Sequence, residues 1–183
     1  MEKIGKILLN LRFKARIYPM ANKNSNLGAA KTAKNDEFYT LMPTIEKELQ
    51  YYWNDLKGKN ILLNCDNWET SNFYKYFKEH FNDIGINGLV ALDYKTGNYA
   101  FVTNQGRDIV EDNTSIDEGV LSYDSDISNA FLFTCDIVIT NPPFSKARDY
   151  LNHVMRYGKR FLLLYNLNTV CTHDIFPNFM TDN

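Results

Sequence analysis

Asn141-Pro142-Pro143-Phe144 follows the apolar run "DIVIT" (136–140) and sets two ring-locked residues between an amide and an aromatic side chain. Proline fixes φ and offers no backbone donor, so the pair ends a strand and stiffens the loop after it. Such a loop can serve simply as a rigid turn into the next helix. It can also do chemistry. An amino group conjugated to an aromatic ring is a poor nucleophile, because its lone pair is delocalised into the ring. Two fixed oxygens that accept its hydrogens would localise that pair and aim it. The Asn141 side-chain oxygen and the Pro142 carbonyl can be those acceptors, with proline stiffness supplying the preorganisation. Phe144 can stack on the ring plane, and stacking on a base contributes about 1–3 kcal/mol. No charged general base is required.

A loop of this kind has a natural place. In an open α/β sheet, ligands sit beyond the carboxyl ends of the strands. Read in chain order, those ends are Asn64-Cys65-Asp66, then Asp93, then Asp124 and Asp126, then Asn141 to Phe144. A carboxylate accepts two hydrogen bonds at once, which suits ribose hydroxyls, a ligand amino group or an adenine N6–H. Any one of these Asp residues is equally a cap or turn residue; their serial placement favours a ligand. No G-x-G-x-x-G follows the first strand, and no G-x-x-x-x-G-K-[ST] occurs, so the usual pyrophosphate cradle is missing. A nucleotide ligand without pyrophosphate needs none. S-adenosylmethionine, an adenosine joined to a sulfonium and an amino acid, is such a ligand. A target base in duplex DNA would have to be flipped out to reach the loop.

The elements that must position these residues follow from periodicity. "PTIEKELQYYWNDL" (43–56) places Ile45, Leu49, Tyr52, Trp53 and Leu56 on one helical face, with Pro43 at the start. "TSNFYKYFKEHFNDIG" (70–85) repeats Phe73, Phe77, Phe81 and Ile84 at helical spacing and stops at Gly85. "SKARDYLNHVMRYG" (145–158) is a third amphipathic helix. "NILLNCD" (60–66), "GLVALDY" (88–94), "CDIVIT" (135–140) and "RFLLLYN" (160–166) are continuous apolar runs, the signature of strands covered on both faces. Residues 98–111 alternate in polarity and turn at Asn104-Gln105-Gly106, which predicts a hairpin. The expected fold is α/β, a doubly wound and mostly parallel sheet.

Composition narrows the class. The chain has 183 residues, 44% apolar and 23% charged, about one soluble globular domain. It contains no apolar run approaching a membrane span and no export signal. Cys65, Cys135 and Cys171, with His80, His153 and His173, lack metal-ligand spacing, so no metal site is expected and reduced cytoplasmic thiols are. Residues 1–34 hold eight Lys/Arg against one acid, whereas residues 35–183 hold twelve against twenty-one, leaving the whole at −2. The first segment reads as a basic, flexible arm, within which Met20 is a second candidate start, and residues 35–183 as the catalytic domain.

"NDEFYT" (35–40), "NCDNWETSNFYKYF" (64–77) and "DIVITNPPFSKARDYL" (136–151), in this order, resemble the EcoRI-type adenine-specific DNA methyltransferases. The likeness runs from about residue 34 through "GKRFLLLYNLN" and "DIFPNF" to the end. It implies an S-adenosylmethionine-dependent adenine-N6 DNA methyltransferase of restriction–modification type on a Rossmann-like fold, with double-stranded DNA as partner. By that resemblance Asp36, Phe38, Tyr39 and Thr40 form an N-terminal cofactor-binding segment. Asn64 and Asp66 replace the glycine-rich loop, Asp93 and Asp126 add cofactor contacts, and Asn141, Pro142, Pro143 and Phe144 form the catalytic loop. Two departures stand out. Where the family pattern continues after Asp66 with Asp-Pro, this chain has Asn67-Trp68. Relatives also continue beyond the "RFLLLYN" strand, so the C-terminal part of the sheet and the target-recognising part are expected elsewhere, on a second polypeptide from a split gene, or lost. In the last case the chain is a non-catalytic remnant. The loop itself leaves the acceptor open among a DNA adenine, an RNA adenine, a cytosine N4 and a protein glutamine amide. Cytosine-C5 chemistry is disfavoured, because no Cys follows a Pro.

Overall fold

A computed structural model describes residues 40–103, 105–113 and 120–164. The basic arm, the residues Asp36, Phe38 and Tyr39, and the chain after residue 164 lie outside the described residues.

Helix α1 (Met42–Leu49) opens with Pro43, where a missing N–H costs nothing. The single helix expected over 43–56 is broken. Gln50–Tyr52 form one 3₁₀ turn, Tyr52 takes φ −109° and ψ 0°, and α2 (Trp53–Leu56) starts afresh. The step lets the Trp53 indole N–H donate to the Tyr76 hydroxyl at 2.8 Å. Strand β1 (Asn60–Leu63) is shorter than the apolar run suggests, because Asn64 and Cys65 already turn. Helix α3 (Asn72–Glu79) is capped by Ser71, whose hydroxyl oxygen accepts the Tyr74 N–H. It too breaks, at His80, before α4 (Phe81–Ile84), which ends on Gly85 in the left-handed region at φ +75°.

Strand β2 (Gly88–Leu92) precedes the expected hairpin, β3 (Tyr99–Thr103) and β4 (Asp108–Asp112). Gln105 and Gly106 both have positive φ, 60° and 75°, which matches the twist of a tight hairpin connection. Helix α5 (Asp126–Thr134), strand β5 (Ile137–Thr140), a 3₁₀ turn at Phe144–Lys146, helix α6 (Ala147–Arg156) and strand β6 (Arg160–Leu163) complete the described order.

The sheet runs β4-β3-β2-β1-β5-β6. β2, β1, β5 and β6 are mutually parallel, and β3 and β4 add on antiparallel beside β2. Both faces are covered, as the sequence predicts for a doubly wound sheet. Ile61, Leu63, Leu89, Ala91, Ile137 and Ile139 face α1 to α4. Leu62, Leu92 and Val138 face the other way, onto Leu132 of α5 and Tyr150 and Val154 of α6. Burying each Leu or Ile stabilises by about 1.5–3 kcal/mol, so the alternation commits every central strand to two cores. β1 leads to β2 on one side and pairs with β5 on the other, so the sheet reverses its winding between β1 and β5. Ligands of such sheets bind at that reversal. Among the described residues, no helix is long and apolar enough to cross a membrane.

Candidate active site

A cavity of about 300 Å³ opens over the carboxyl ends of β1, β2 and β5. Thr40, Asp66, Asp93 and Asn141, four residues singled out from sequence, share its wall. Pro142 and Pro143 are buried behind the half-buried Asn141. The loop they stiffen is fastened on both sides. The Thr140 carbonyl accepts the Leu164 N–H at 3.2 Å, and the Pro143 carbonyl accepts the Lys146 N–H at 3.0 Å to open the 3₁₀ turn that holds Phe144.

The two central acids are engaged within the protein. Asp66 is 7% exposed. Its Oδ1 accepts the Ser71 hydroxyl at 2.6 Å and its Oδ2 the Thr140 hydroxyl at 2.5 Å, while its N–H donates to the Leu92 carbonyl at 3.1 Å. Asp93 organises the turn after β2. Its Oδ1 accepts the Lys95 N–H at 3.1 Å, and its Oδ2 accepts the Thr96 hydroxyl at 2.6 Å and the Asn67 amide at 3.0 Å. A carboxylate has about four acceptor positions, so Asp93, with three donors, keeps capacity on Oδ1.

Two other expected contacts fall elsewhere. Asn64 is fully buried beneath the cavity rather than on its wall. Its Oδ1 accepts the Tyr150 hydroxyl from α6, and among the described residues its Nδ2 has no hydrogen-bond partner. Asp126 is exposed in the first turn of α5, just after the Ser125 cap, and is not on the cavity wall. A carboxylate there complements the positive end of the helix, which accounts for its residue type without a ligand. Asp124, named beside it, is also exposed and its Oδ1 accepts the Ser122 hydroxyl at 2.6 Å.

The sequence reading missed Asn67, Thr70, Ser71, Asn72, Lys95 and Thr96, all on the wall. Asn67 and Trp68, the departures from the family pattern, form a clasp. Asn67 Nδ2 donates to Asp93 Oδ2 and, at 3.2 Å, to Thr96 Oγ1. The Trp68 indole N–H reaches across to the Asp112 carbonyl on β4 at 3.1 Å. A carboxylate at position 67 would instead face Asp93 as a like charge. The hairpin is held from a second side. Lys78 and Tyr74 of α3 donate to Glu111 Oε1 at 2.6 and 2.8 Å. Burial pushes the Glu111 carboxyl up, but those two donors and the ammonium charge outweigh it and hold it below its ordinary value. Burial first, and Glu111 second, drive the Tyr74 phenol well above its ordinary value.

This arrangement places an Asn-Pro-Pro loop and two hydrogen-bonded carboxylates around one cavity at the reversal of a parallel sheet. The family described as "Adenine-specific methyltransferase EcoRI" matches residues 26–183. The Type II methyltransferase M.EcoRI of Escherichia coli is 35% identical, over 87% of this chain and 54% of its own length. M.MpnI of Mycoplasma pneumoniae is 38% identical over 82% and 46%, and M.MgeORF184P of Mycoplasma genitalium 32% over 84% and 48%. The chain thus spans about half the length of the curated relatives it matches. No solved structure matches it. By the family match and by these relatives, the chain belongs to the EcoRI family of adenine-specific methyltransferases.

Proposed function

We propose that the chain carries the cofactor site and the catalytic loop of an S-adenosylmethionine-dependent methyltransferase acting on the N6 amino group of a DNA adenine, as part of a restriction–modification system. The observation that carries this is the convergence of Asn141, Asp66 and Asp93 on one cavity. The wall suits S-adenosylmethionine in kind. Asp93 Oδ1 retains acceptor capacity for ribose hydroxyls, Thr40, Thr70 and Thr96 offer small polar groups, and Phe73 offers an apolar surface. Asp36, Phe38 and Tyr39 would complete the cofactor side. When bound, S-adenosylmethionine supplies an electrophilic methyl group on a sulfonium.

The chain's own residues then do three things. Asn141 Oδ1 and the Pro142 carbonyl accept the two amino hydrogens of a flipped adenine, drawing its lone pair out of the ring. Pro142 and Pro143 keep both oxygens from moving as charge develops, so little reorganisation accompanies transfer. Phe144, whose side chain lies outside the described ones, would stack on the base. Target recognition in this reading rests on sequence beyond the matched half of the relatives, continuous with the chain or on a second polypeptide, with double-stranded DNA as the partner.

Calorimetric titration with S-adenosylmethionine tests the cofactor site directly. Methyl transfer to adenine-containing duplexes, in the presence of the remaining half of a relative, tests the loop. Asn141→Ala is expected to lower the transfer rate by about 10²-fold or more, in line with loss of a preorganised group, while cofactor uptake persists. A normal rate in that variant overturns the catalytic assignment. Absence of uptake by the unaltered chain overturns the cofactor.

A further inference from the structure

β1 and β5 do not stay paired to their ends. Their ladder covers Ile61 with Ile137 and Leu62 with Val138, and goes no further. Ile139 and Thr140 continue in register with Leu162 and Leu163 of β6, on the far side. The β1–β5 ladder therefore stops short of the loop, which follows the strand end that stays paired with β6. A buried side-chain contact crosses this gap at the level of the loop: the Thr140 hydroxyl donates to Asp66 Oδ2 at 2.5 Å. The other oxygen of Asp66 accepts Ser71 at 2.6 Å, and Ser71 in turn caps α3 by accepting the Tyr74 N–H at 3.2 Å. All three side chains are buried, Thr140 fully, Ser71 at 6% and Asp66 at 7% exposure. Shielded from water, a hydrogen bond to a carboxylate is among the stronger ones a protein makes.

We infer that Asp66 and Thr140 form a strut that sets the position of Asn141 across the ends of β1 and β5, beyond their last ladder pair. Thr140 is the residue immediately before Asn141, so an anchor on its side chain holds the Cα from which the next peptide starts. The carboxylate read from sequence as a ligand contact thus acts on the loop through Thr140, which makes Thr140 a positioning residue. This rests on the reading of Asn141 as the amino-group acceptor, and its test does not need that reading to hold.

The test uses the full chain, labelled with ¹⁵N, and the side-chain amide signals of Asn141, assigned through their disappearance in Asn141→Asp. Thr140→Val removes the hydroxyl and keeps the shape; Thr140→Ser keeps the hydroxyl. Without any cofactor, Thr140→Val is expected to shift or broaden the Asn141 pair, and Thr140→Ser to restore it. The signals of the distant Asn87 and Asn129 should stay in place in both. An unmoved Asn141 pair in a folded Thr140→Val chain overturns the strut. Should that variant not fold, Thr140→Cys, a weaker donor of similar size, is expected to give a smaller displacement of the same pair, and none overturns it. Titration with S-adenosylmethionine separates the two readings. A wild-type chain that takes up none defeats the proposed cofactor while the amide signals still decide the strut. If it binds, Thr140→Val is expected to bind within about threefold of wild type. A loss beyond about tenfold with Asn141 unmoved assigns Asp66 to the ligand and overturns the strut.

Discussion

Replacing Asn67 by Asp converts a clasp into a repulsion, and the size of the effect follows from distances in the structure. Asn67 Nδ2 stands 3.0 Å from Asp93 Oδ2, and Asp93 is 6% exposed. Two unit charges at that separation repel by about 5 kcal/mol at an effective dielectric of 20. Asn67 is half-buried, so solvent screening brings the repulsion to about 2–3 kcal/mol. Loss of a donor to a charged acceptor adds about 1.5 kcal/mol. Asn67→Ala introduces no charge; it loses the donor to Asp93 and Thr96, and the Oδ1 acceptor of the Glu69 N–H, an exposed bond that water replaces at little cost. Urea unfolding at pH 7 should therefore place Asn67→Ala about 1.5 kcal/mol below the native chain, and Asn67→Asp a further 2–3 kcal/mol or so lower. Lowering the pH below the ordinary carboxylate range should close the gap between the two variants, since a shared proton removes the repulsion. Equal stability of the Ala and Asp variants at pH 7 would show that position 67 does not face Asp93, and the clasp would be refuted.

Other consequences are simpler to state. Glu111, held below its ordinary value, contributes stability that is present above the ordinary carboxylate range and is lost as the pH falls through it. Urea midpoints of Glu111→Gln should accordingly fall less between pH 7 and pH 3 than those of the native chain. Burial pushes the Cys135 thiol up to about 11, against the opposing pull of Lys159. In the folded chain it should resist a thiol reagent at pH 8 that labels it readily in urea, and the thiol's contribution to stability should decline from about pH 9 toward pH 11. Trp68→Phe removes the indole bond to the Asp112 carbonyl and should cost about 1 kcal/mol in urea unfolding, with faster amide exchange in β4 than in β1.

The sheet could be read from the sequence because each central strand is apolar at consecutive positions, a pattern that only two covering layers explain. The hairpin was legible from Asn104-Gln105-Gly106, and the stiff loop after β5 from Asn141-Pro142-Pro143, since proline constrains the backbone wherever it stands. Strand ends were overrun by two or three residues, because Asn64, Cys65 and Asp66 look as buried as Leu63 yet already turn. The breaks at Tyr52 and His80 left no proline or glycine to mark them; the Trp53 indole bond to Tyr76 beside the first depends on which helices meet in space. The acids at 66 and 93 stand at strand ends, where topology puts them on the cavity wall, but their hydrogen-bond partners Thr140, Ser71, Thr96 and Asn67 depend on which loops meet in space. Asp126 and Asn64 lie off the cavity wall, one being a helix-end residue and the other a buried partner of Tyr150. Ser71 and the turn "DYKTGN" carried cap and turn chemistry that could have drawn Asn67 and Lys95 into view.

β6 is the outermost strand on its side among the described residues, and it is half-buried at all four positions. Leu162 and Leu164 lean on one core while Phe161 and Leu163 lean on the other. Its flank, unpaired among the described residues, is consequently a two-sided template. Any polypeptide laid against it, from this molecule or another, must be greasy on neighbouring residues rather than every second one, or one of its faces will meet oil with a polar group. That requirement gives a simple criterion for picking the true neighbour from candidates by their residue pattern.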